Sequence, residues 1–342
     1  MKPVKEIVFT DYKKAEYLVK TDMNIQNIGA KQVLIKTAFT TVSAGTERAN
    51  LLAENTSYNN AAIAPFPKVL GYNCAGEVFA IGADVKSVKV GDRVVAYWSH
   101  HRNYNLVNES QVIKIEDESI SYRDAAASFI ATFPLAAIRK VQLEIGESLL
   151  VMGLGILGQI AVKLARIAGA CPVIACDPIQ ARREEALKNG ADYAFDPFDK
   201  DFAEKVKAVS GGGVQTAIEV TGVGAGLDET LDCMARFGRV ALLGCTRNSD
   251  FSIDYYHKVH GPGITLVGAH TQARSTLESS HGNYTHNDDI KAVLKLCGKG
   301  RLTLQDIVKE THKPSDCASV YDRLINDKNF PVGVQFDWSG EN

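Results

Sequence analysis

From residue 148 onward the chain alternates between two hydrophobic periods. SLLVMG, PVIACD, ADYAF, VQTAIEV, GRVALLG and GITLVGA are short apolar runs that read as buried strands. Between them, ILGQIAVKLARIAG, QARREEALKNG, AEKVKAVS and GLDETLDCMARF repeat their apolar positions at helical spacing. Such alternation is the mark of βαβ units, and about six strands suit a doubly wound parallel sheet. The chain before this point has another character. Between Lys31 and Lys114, QVLIKTAFTTVSAG, CAGEVFAIGADV, GDRVVAYW and SQVIKI are closely spaced β-rich runs broken by Gly, Asn and Asp, which predict a compact, largely antiparallel β domain. A helix-compatible stretch, YRDAAASFIATFPLAAIRKV, joins the two regions. After Gln272 a helical segment (DDIKAVLKLCGKG) and a strand (GVQFDW) return. The predicted organisation is therefore a β-rich domain over 1–121, an α/β domain over 122–271, and a C-terminal return to the first domain over 272–342. No internal repeat or low-complexity tract interrupts this pattern.

Composition narrows the function classes. Of 342 residues, 38 are Lys or Arg and 40 are Asp or Glu, a net charge of −2, with both signs interspersed along the chain. This balance predicts no nucleic-acid partner. No run approaches the roughly 18 apolar residues that span a membrane, and the N-terminus lacks an apolar signal core, so the expectation is a soluble, cytoplasmic protein with no membrane partner. The seven cysteines are scattered, mostly within apolar stretches and never as CxxC, which predicts buried thiols and no structural zinc ribbon.

The strongest motif is Gly153-Leu154-Gly155-Ile156-Leu157-Gly158, which directly follows the strand SLLVM and opens the next helix. Gly153 permits the tight turn, Gly155 lets backbone approach a pyrophosphate, and Gly158 lets helix and strand pack closely. The N–H groups of the first helical turn, at Ile156 and Leu157, then face the phosphates. Asp177 stands nineteen residues after Gly158, at the end of the strand PVIACD, where a carboxylate receives the adenosine ribose hydroxyls. A 2′-phosphate there would meet a negative charge, so NAD is favoured over NADP. Arg182, five residues on, is able to cover adenine or reach a ribose or phosphate oxygen. Thr221-Gly222 and Gly244-Cys245 close two further strands at their carboxyl ends, where ligands of such sheets bind, or are ordinary loop residues.

A β-rich N-terminal domain, an internal dinucleotide fold and a C-terminal return resemble the medium-chain dehydrogenase/reductase superfamily, with its GroES-like catalytic domain and Rossmann domain. The likeness is carried by Val42-Ser43-Ala44-Gly45-Thr46-Glu47, Gly71-Tyr72-Asn73-Cys74-Ala75-Gly76-Glu77-Val78, Val90-Gly91-Asp92-Arg93-Val94 and the glycine motif. Pairing SAGTER with GYxxxGEV looks closest to a branch of bacteriochlorophyllide dehydrogenase-like and sugar dehydrogenase-like proteins. Zinc-dependent members carry Cys where this chain has Ala44 and His-Glu where it has Tyr72-Asn73. Counted back from the glycine motif, the third ligand position falls at Ser128. Catalytic zinc wants three ligands of N, S or carboxylate type, so the expectation is an enzyme without zinc or other metal.

Without a Lewis acid, a side chain must move the hydroxyl proton. The resemblance aims the Tyr72 phenol at the substrate, either as proton carrier or as filler of the vacated metal cavity. His101, in a His-x-x-Tyr pattern completed by Tyr104, suits proton transfer or is a structural histidine. Thr46 matches a hydroxyl that relays protons in relatives, with Glu47 as acidic neighbour, or both brace their loop. By the same resemblance Thr132 touches nicotinamide, and His270 lies in a loop that approaches it. His257, His260, His281 and His286 fall in a polar segment that suits a polyhydroxylated substrate, or any solvated loop. The leading expectation is an NAD-dependent, zinc-independent dehydrogenase acting on a secondary hydroxyl of a sugar, glycoside or polyol. An NADPH-dependent quinone or enone reductase and a catalytically inert nucleotide-binding protein are the alternatives. Family members associate, so a homodimer or homotetramer is expected.

Overall fold

The computed structural model describes residues 3–20, 28–55, 62–247 and 249–341. The chain divides into two compact units, Met1–Ile130 with Ile290–Asn342, and Ala131–Asp289. In chain order the first unit runs through β1 (Val4–Asp11), β2 (Lys14–Lys20), β3 (Gln32–Thr41), α1 (Ala44–Leu51), β4 (Lys68–Val69), β5 (Asn73–Ile81), β6 (Arg93–Tyr97), β7 (Tyr104–Asn108) and β8 (Val112–Lys114), then enters α2 (Tyr122–Lys140). The second unit continues with β9 (Leu149–Met152), α3 (Ile156–Ala168), β10 (Val173–Cys176), α4 (Gln180–Lys188), β11 (Tyr193–Phe195), α5 (Phe202–Ser210), β12 (Val214–Glu219), α6 (Gly224–Asp232), β13 (Met234–Leu242) and β14 (Thr265–Gly268). Helix α7 (His286–Gly298), β15 (Val308–His312), α8 (Cys317–Asn326) and β16 (Gly333–Asp337) complete the chain.

The first unit is built on a sheet of order β15-β16-β3-β5-β6-β8, with β7 also paired to β3. Its long central strands alternate inward and outward residues. Val33 and Ile35 of β3 and Cys74 and Val78 of β5 point into one core with Val94 and Ala96 of β6. Within this unit β16 pairs antiparallel with β3, Gln335 opposite Thr41 and Phe336 opposite Thr40. A second core gathers Phe9, Leu51, Tyr321, Phe336 and Trp338 under α8. Two elements escape the apolar pattern. The hairpin β1–β2 lies before Lys31, ahead of the run of strands read from the sequence. SAGTE, read as a loop, is the start of α1, because the face that this helix buries carries Glu47 along with Ala49 and Leu51 and so leaves no apolar stripe.

The second unit holds a parallel sheet of order β11-β10-β9-β12-β13-β14. This is the doubly wound arrangement, with its reversal of strand order between β9 and β12. Leu150, Met152, Ile174, Ala217 and Val240 form the buried middle of the sheet. Helix α3 lays Ile160, Ala161 and Leu164 on it and stops at Gly169, whose φ of 92° is the left-handed cap conformation. Each large aliphatic side chain so buried contributes about 1.5–3 kcal/mol. Helix α6 is shorter than its pattern: it ends at Asp232, and Met234 to Phe237 join β13. Among the described residues no helix is long and apolar enough to cross a membrane. Among the described residues none of the seven cysteines forms a disulfide, and Cys171 and Cys245 are exposed rather than buried.

Candidate active site

The three glycines of the motif that opens α3 do different work. Gly153 has φ +97°, and a Cβ there would press the Thr221 methyl at 3.0 Å. At Gly158 a Cβ would lie 1.9 Å from the Gly153 carbonyl oxygen, so helix and turn meet backbone to backbone. At Gly155 a Cβ would meet nothing within 4 Å. That open space sits at the N-terminus of α3, which no side chain caps. The first-turn N–H groups, Ile156 and Leu157 among them, have no acceptor within the helix and form an anion cradle.

Asp177 follows β10 and is almost wholly buried. Its Oδ2 accepts from Leu154 N–H at 2.8 Å and its Oδ1 from Ile179 N–H at 2.9 Å, which ties the carboxylate to the glycine turn. Each oxygen keeps further acceptor capacity for a ribose hydroxyl. Arg182 Nη1 lies 3.6 Å from Oδ2. Beneath them the buried Gln159 donates to the Arg182 carbonyl at 2.8 Å and accepts from Asn189 at 2.9 Å.

Across the strand reversal, Glu219 at the end of β12 organises two loops. Its Oε1 accepts from Thr221 N–H at 2.7 Å and closely from the Thr221 hydroxyl, while its carbonyl accepts from Gly244 N–H at 2.8 Å. Burial raises its carboxyl above the ordinary value against these hydrogen bonds. Gly222 (φ +69°) and Gly244 approach so closely that a Cβ on Gly244 would lie 2.3 Å from Gly222 N. Thr132 is fully buried, and its carbonyl accepts from Arg274 at 3.2 Å. Arg274 also holds the buried Asp289 at 2.9 Å, and Arg139 pairs closely with the other oxygen. His270, after β14, accepts from Gln272 N–H at 3.3 Å, and burial lowers its pKa. The other C-terminal histidines do not form one group. His257 pairs with Asp254 on a turn whose Lys258 holds Asp228 and Asp232, whereas His286 opens α7 and is pushed down to about 3 by burial.

In the first unit, Ala44, Tyr72, Asn73 and Ser128 stand where the family resemblance expects metal-ligand side chains. Ala44 offers none. Asn73 is spent on the Thr41 backbone, accepting from its N–H at 2.9 Å and donating to its carbonyl at 3.1 Å. The Ser128 hydroxyl donates to the Ala125 carbonyl at 2.7 Å. Tyr72 donates its phenolic hydrogen closely to Ser43 Oγ. Its ring is walled by Phe129 at 5.7 Å, edge to face, and by Trp98 at 5.9 Å. Trp98 adopts φ +56° and is 38% exposed, while Tyr97 stacks on Phe129 behind it.

His101 and Glu47 come together, but fully buried. His101 Nδ1 lies 2.6 Å from Thr40 Oγ1 and Nε2 3.2 Å from Glu47 Oε1. Glu47 also accepts from Tyr321 OH at 2.6 Å and from Ser43 N–H at 2.8 Å. Burial alone would raise the Glu47 carboxyl, yet His101 and the two donors Tyr321 and Ser43 hold it below the usual carboxylate value. These two residues brace the start of α1, and Thr46 lies in its first turn. His100 and His101 occupy the bend between β6 and β7. Cys74 is buried, with its thiol pushed up to about 11. Among the described residues no group of three His, Cys, Asp or Glu is placed to hold a metal ion. Sequence reading left Ser43, Gln159, Glu219, Arg139, Arg274 and Asp289 without roles. Only Ser43 carried a signal, its place inside the SAGTE motif.

A glycine turn with an uncapped helix start and a tethered carboxylate, on a doubly wound sheet, defines a dinucleotide-binding protein, and the β-rich unit defines the type that acts as a dehydrogenase. Residues 157–300 match the family described as zinc-binding dehydrogenase, and residues 29–126 match the alcohol dehydrogenase GroES-like domain. D-guloside 3-dehydrogenase of Escherichia coli (strain K12) is 33% identical over 273 residues, covering 78% of this chain and 77% of that protein. L-threonine 3-dehydrogenase of Pyrococcus horikoshii is 27% identical over 323 residues, 86% of this chain and 88% of the relative. An alcohol dehydrogenase of E. coli CFT073, solved with its cofactor NADH, shares the fold with a TM-score of 0.82 at 17% identity, covering 98% of this chain and all of that one. The chain belongs to the medium-chain dehydrogenase/reductase superfamily and is an NAD-dependent oxidoreductase of that type acting on CH–OH groups.

Proposed function

We propose that this protein transfers hydride between NAD(H) and a secondary alcohol, or the matching ketone, of a sugar, glycoside or polyol, and that side chains rather than zinc manage the proton. One observation carries the reading: where zinc-dependent relatives place metal ligands, this chain places the Tyr72 phenol, hydrogen-bonded to Ser43, while Asn73 and Ser128 are occupied by backbone partners. The E. coli relative named for oxidation of a guloside at C3 supports a ring-borne secondary hydroxyl as substrate.

The second unit suits the cofactor. The open space at Gly155 and the start of α3 receive the pyrophosphate, and Asp177 receives the ribose hydroxyls and disfavours a 2′-phosphate. By the family resemblance Thr132 and His270 belong to the nicotinamide end, and Thr221 and Gly244 lie at carboxyl ends of strands, where a dinucleotide binds. A bound nicotinamide supplies or takes up the hydride. In ketone reduction Tyr72 donates its phenolic proton to the substrate oxygen, and in alcohol oxidation the phenolate takes the hydroxyl proton. Glu47 and His101 hold α1 in place and Thr46 presents a hydroxyl from its first turn. Trp98 offers the apolar face of a sugar ring an aromatic surface.

Initial rates of NAD reduction across glycosides, polyols and simple alcohols, on protein purified without chelator, test the reading. Turnover of sugar hydroxyls, unchanged by EDTA and with far less than one zinc per chain, is expected. Stoichiometric zinc whose removal abolishes the rate overturns the metal-free mechanism. A strong NADPH preference with enone substrates makes the protein a quinone or enone reductase, and the absence of turnover with every substrate makes it an inert nucleotide binder.

A further inference from the structure

We propose that Ser43 is the positioning partner of the Tyr72 phenol, fixing its direction and stabilising its ionised form. The inference rests on the reading of Tyr72 given above. Ser43 stands at the N-cap of α1, where a serine hydroxyl normally accepts an N–H of the first turn. Here it makes no such bond. The local satisfaction comes instead from Glu47, whose carboxylate reaches back to Ser43 N–H at 2.8 Å while Glu47 N–H donates to the Ser43 carbonyl at 2.8 Å. Glu47 is in turn held by His101 and Tyr321. The Ser43 backbone is thus anchored by buried groups, and its hydroxyl is released to accept the phenolic hydrogen of Tyr72.

A serine hydroxyl has one hydrogen and two acceptor sites. Without substrate, Ser43 accepts the single phenolic hydrogen of Tyr72. When the phenol turns that hydrogen toward a substrate oxygen, the Ser43 hydroxyl rotates and donates to the phenolic oxygen; it keeps donating once the proton has passed to the substrate and Tyr72 is left as phenolate, one proton fewer on Tyr72 and one more on the substrate. A hydrogen bond to an ionised partner is stronger than one to a neutral partner, so Ser43 lowers the pH at which the phenolate forms. Of the titratable groups, Glu47 reaches Tyr72 through Ser43, Tyr97 packs on the Trp98 and Phe129 rings that wall it, and His100 and His101 follow Trp98 in the chain. Glu47 ionises below the usual carboxylate range and His100 is pushed down to about 4 by burial, both far from a phenol. His101 is engaged by Thr40 and Glu47.

The test compares Ser43→Ala, Ser43→Thr and Tyr72→Phe in the full chain. Ultraviolet titration of the cofactor-free protein resolves the tyrosinate component that Tyr72→Phe removes. Its midpoint should rise by about one pH unit in Ser43→Ala and return in Ser43→Thr. With a turned-over alcohol, the alkaline shift should recur in the pH profile of kcat, with kcat at pH 8 down about tenfold and KM for NAD unchanged. Because the hydroxyl makes no cap bond, Ser43→Ala should melt with the parent; if it does not fold, Ser43→Cys, a weaker partner, supplies the same comparison. A Ser43→Ala titration identical to the parent's overturns the proposal. Full kcat in Tyr72→Phe overturns the proton role of Tyr72 instead, and leaves the titration to judge Ser43 separately.

Discussion

Gly155 and Gly158 belong to one motif for opposite reasons, and the difference is measurable residue by residue. A Cβ at Gly158 would collide with the Gly153 carbonyl, so Gly158→Ala should lower stability by about 1–3 kcal/mol, seen as a fall in Tm whether or not NAD is added. A Cβ at Gly155 meets no protein atom, so Gly155→Ala should keep the parental Tm while raising KM for NAD at least tenfold, because only the pyrophosphate needs that space. A parental KM in Gly155→Ala would move the phosphates elsewhere. Asp177→Ala should weaken NAD binding and narrow the gap between NAD and NADP, measured as the ratio of their kcat/KM values; an unchanged ratio would remove the ribose assignment.

Among the elements, α1 shows what a buried, hydrogen-bonded carboxylate does to a short helix. Its eight residues carry no useful apolar stripe, and its place depends on the Glu47 carboxylate receiving Ser43, His101 and Tyr321. The Glu47 pKa is lowered in the folded protein, so its contribution is present above the ordinary carboxylate value and is lost as pH falls through the folded value. Glu47→Gln should therefore flatten the acid limb of stability against pH, below about pH 4.5, and reduce stability at neutrality. Urea unfolding from pH 3 to pH 7 checks both. Asp289 is the counterpart in the second unit: Asp289→Ala leaves Arg139 and Arg274 facing each other and should cost about 3–5 kcal/mol. The family resemblance singled out Glu47 and His101 one by one but not their contact, and nothing singled out Arg139, Arg274 and Asp289. Glu47 and His101 are 54 positions apart, and Arg139 and Asp289 are 150 apart. No periodicity records such a meeting.

For the molecule as a whole, β14 forms one edge of the six-stranded sheet, with Leu266 38% exposed on it and Phe237 69% exposed beside it. The expected homodimer would cover such an edge, so Leu266→Lys should shift the mass measured by light scattering toward the monomer; a parental mass would place any interface elsewhere. What the chain by itself determined was local: the alternation of strand and helix, the glycine turn, and the acid at the end of the second strand of the parallel sheet. Each of these is written in neighbouring residues or in fixed spacing, because backbone sterics and hydrophobic period act over a few positions. Tertiary structure decided which polar groups met. It spent Asn73 and Ser128 on backbone, enclosed His101 with Glu47, and turned the Ser43 hydroxyl from its helix toward Tyr72. Those outcomes depend on burial, which takes water away from each polar group and compels it to find a partner across the fold.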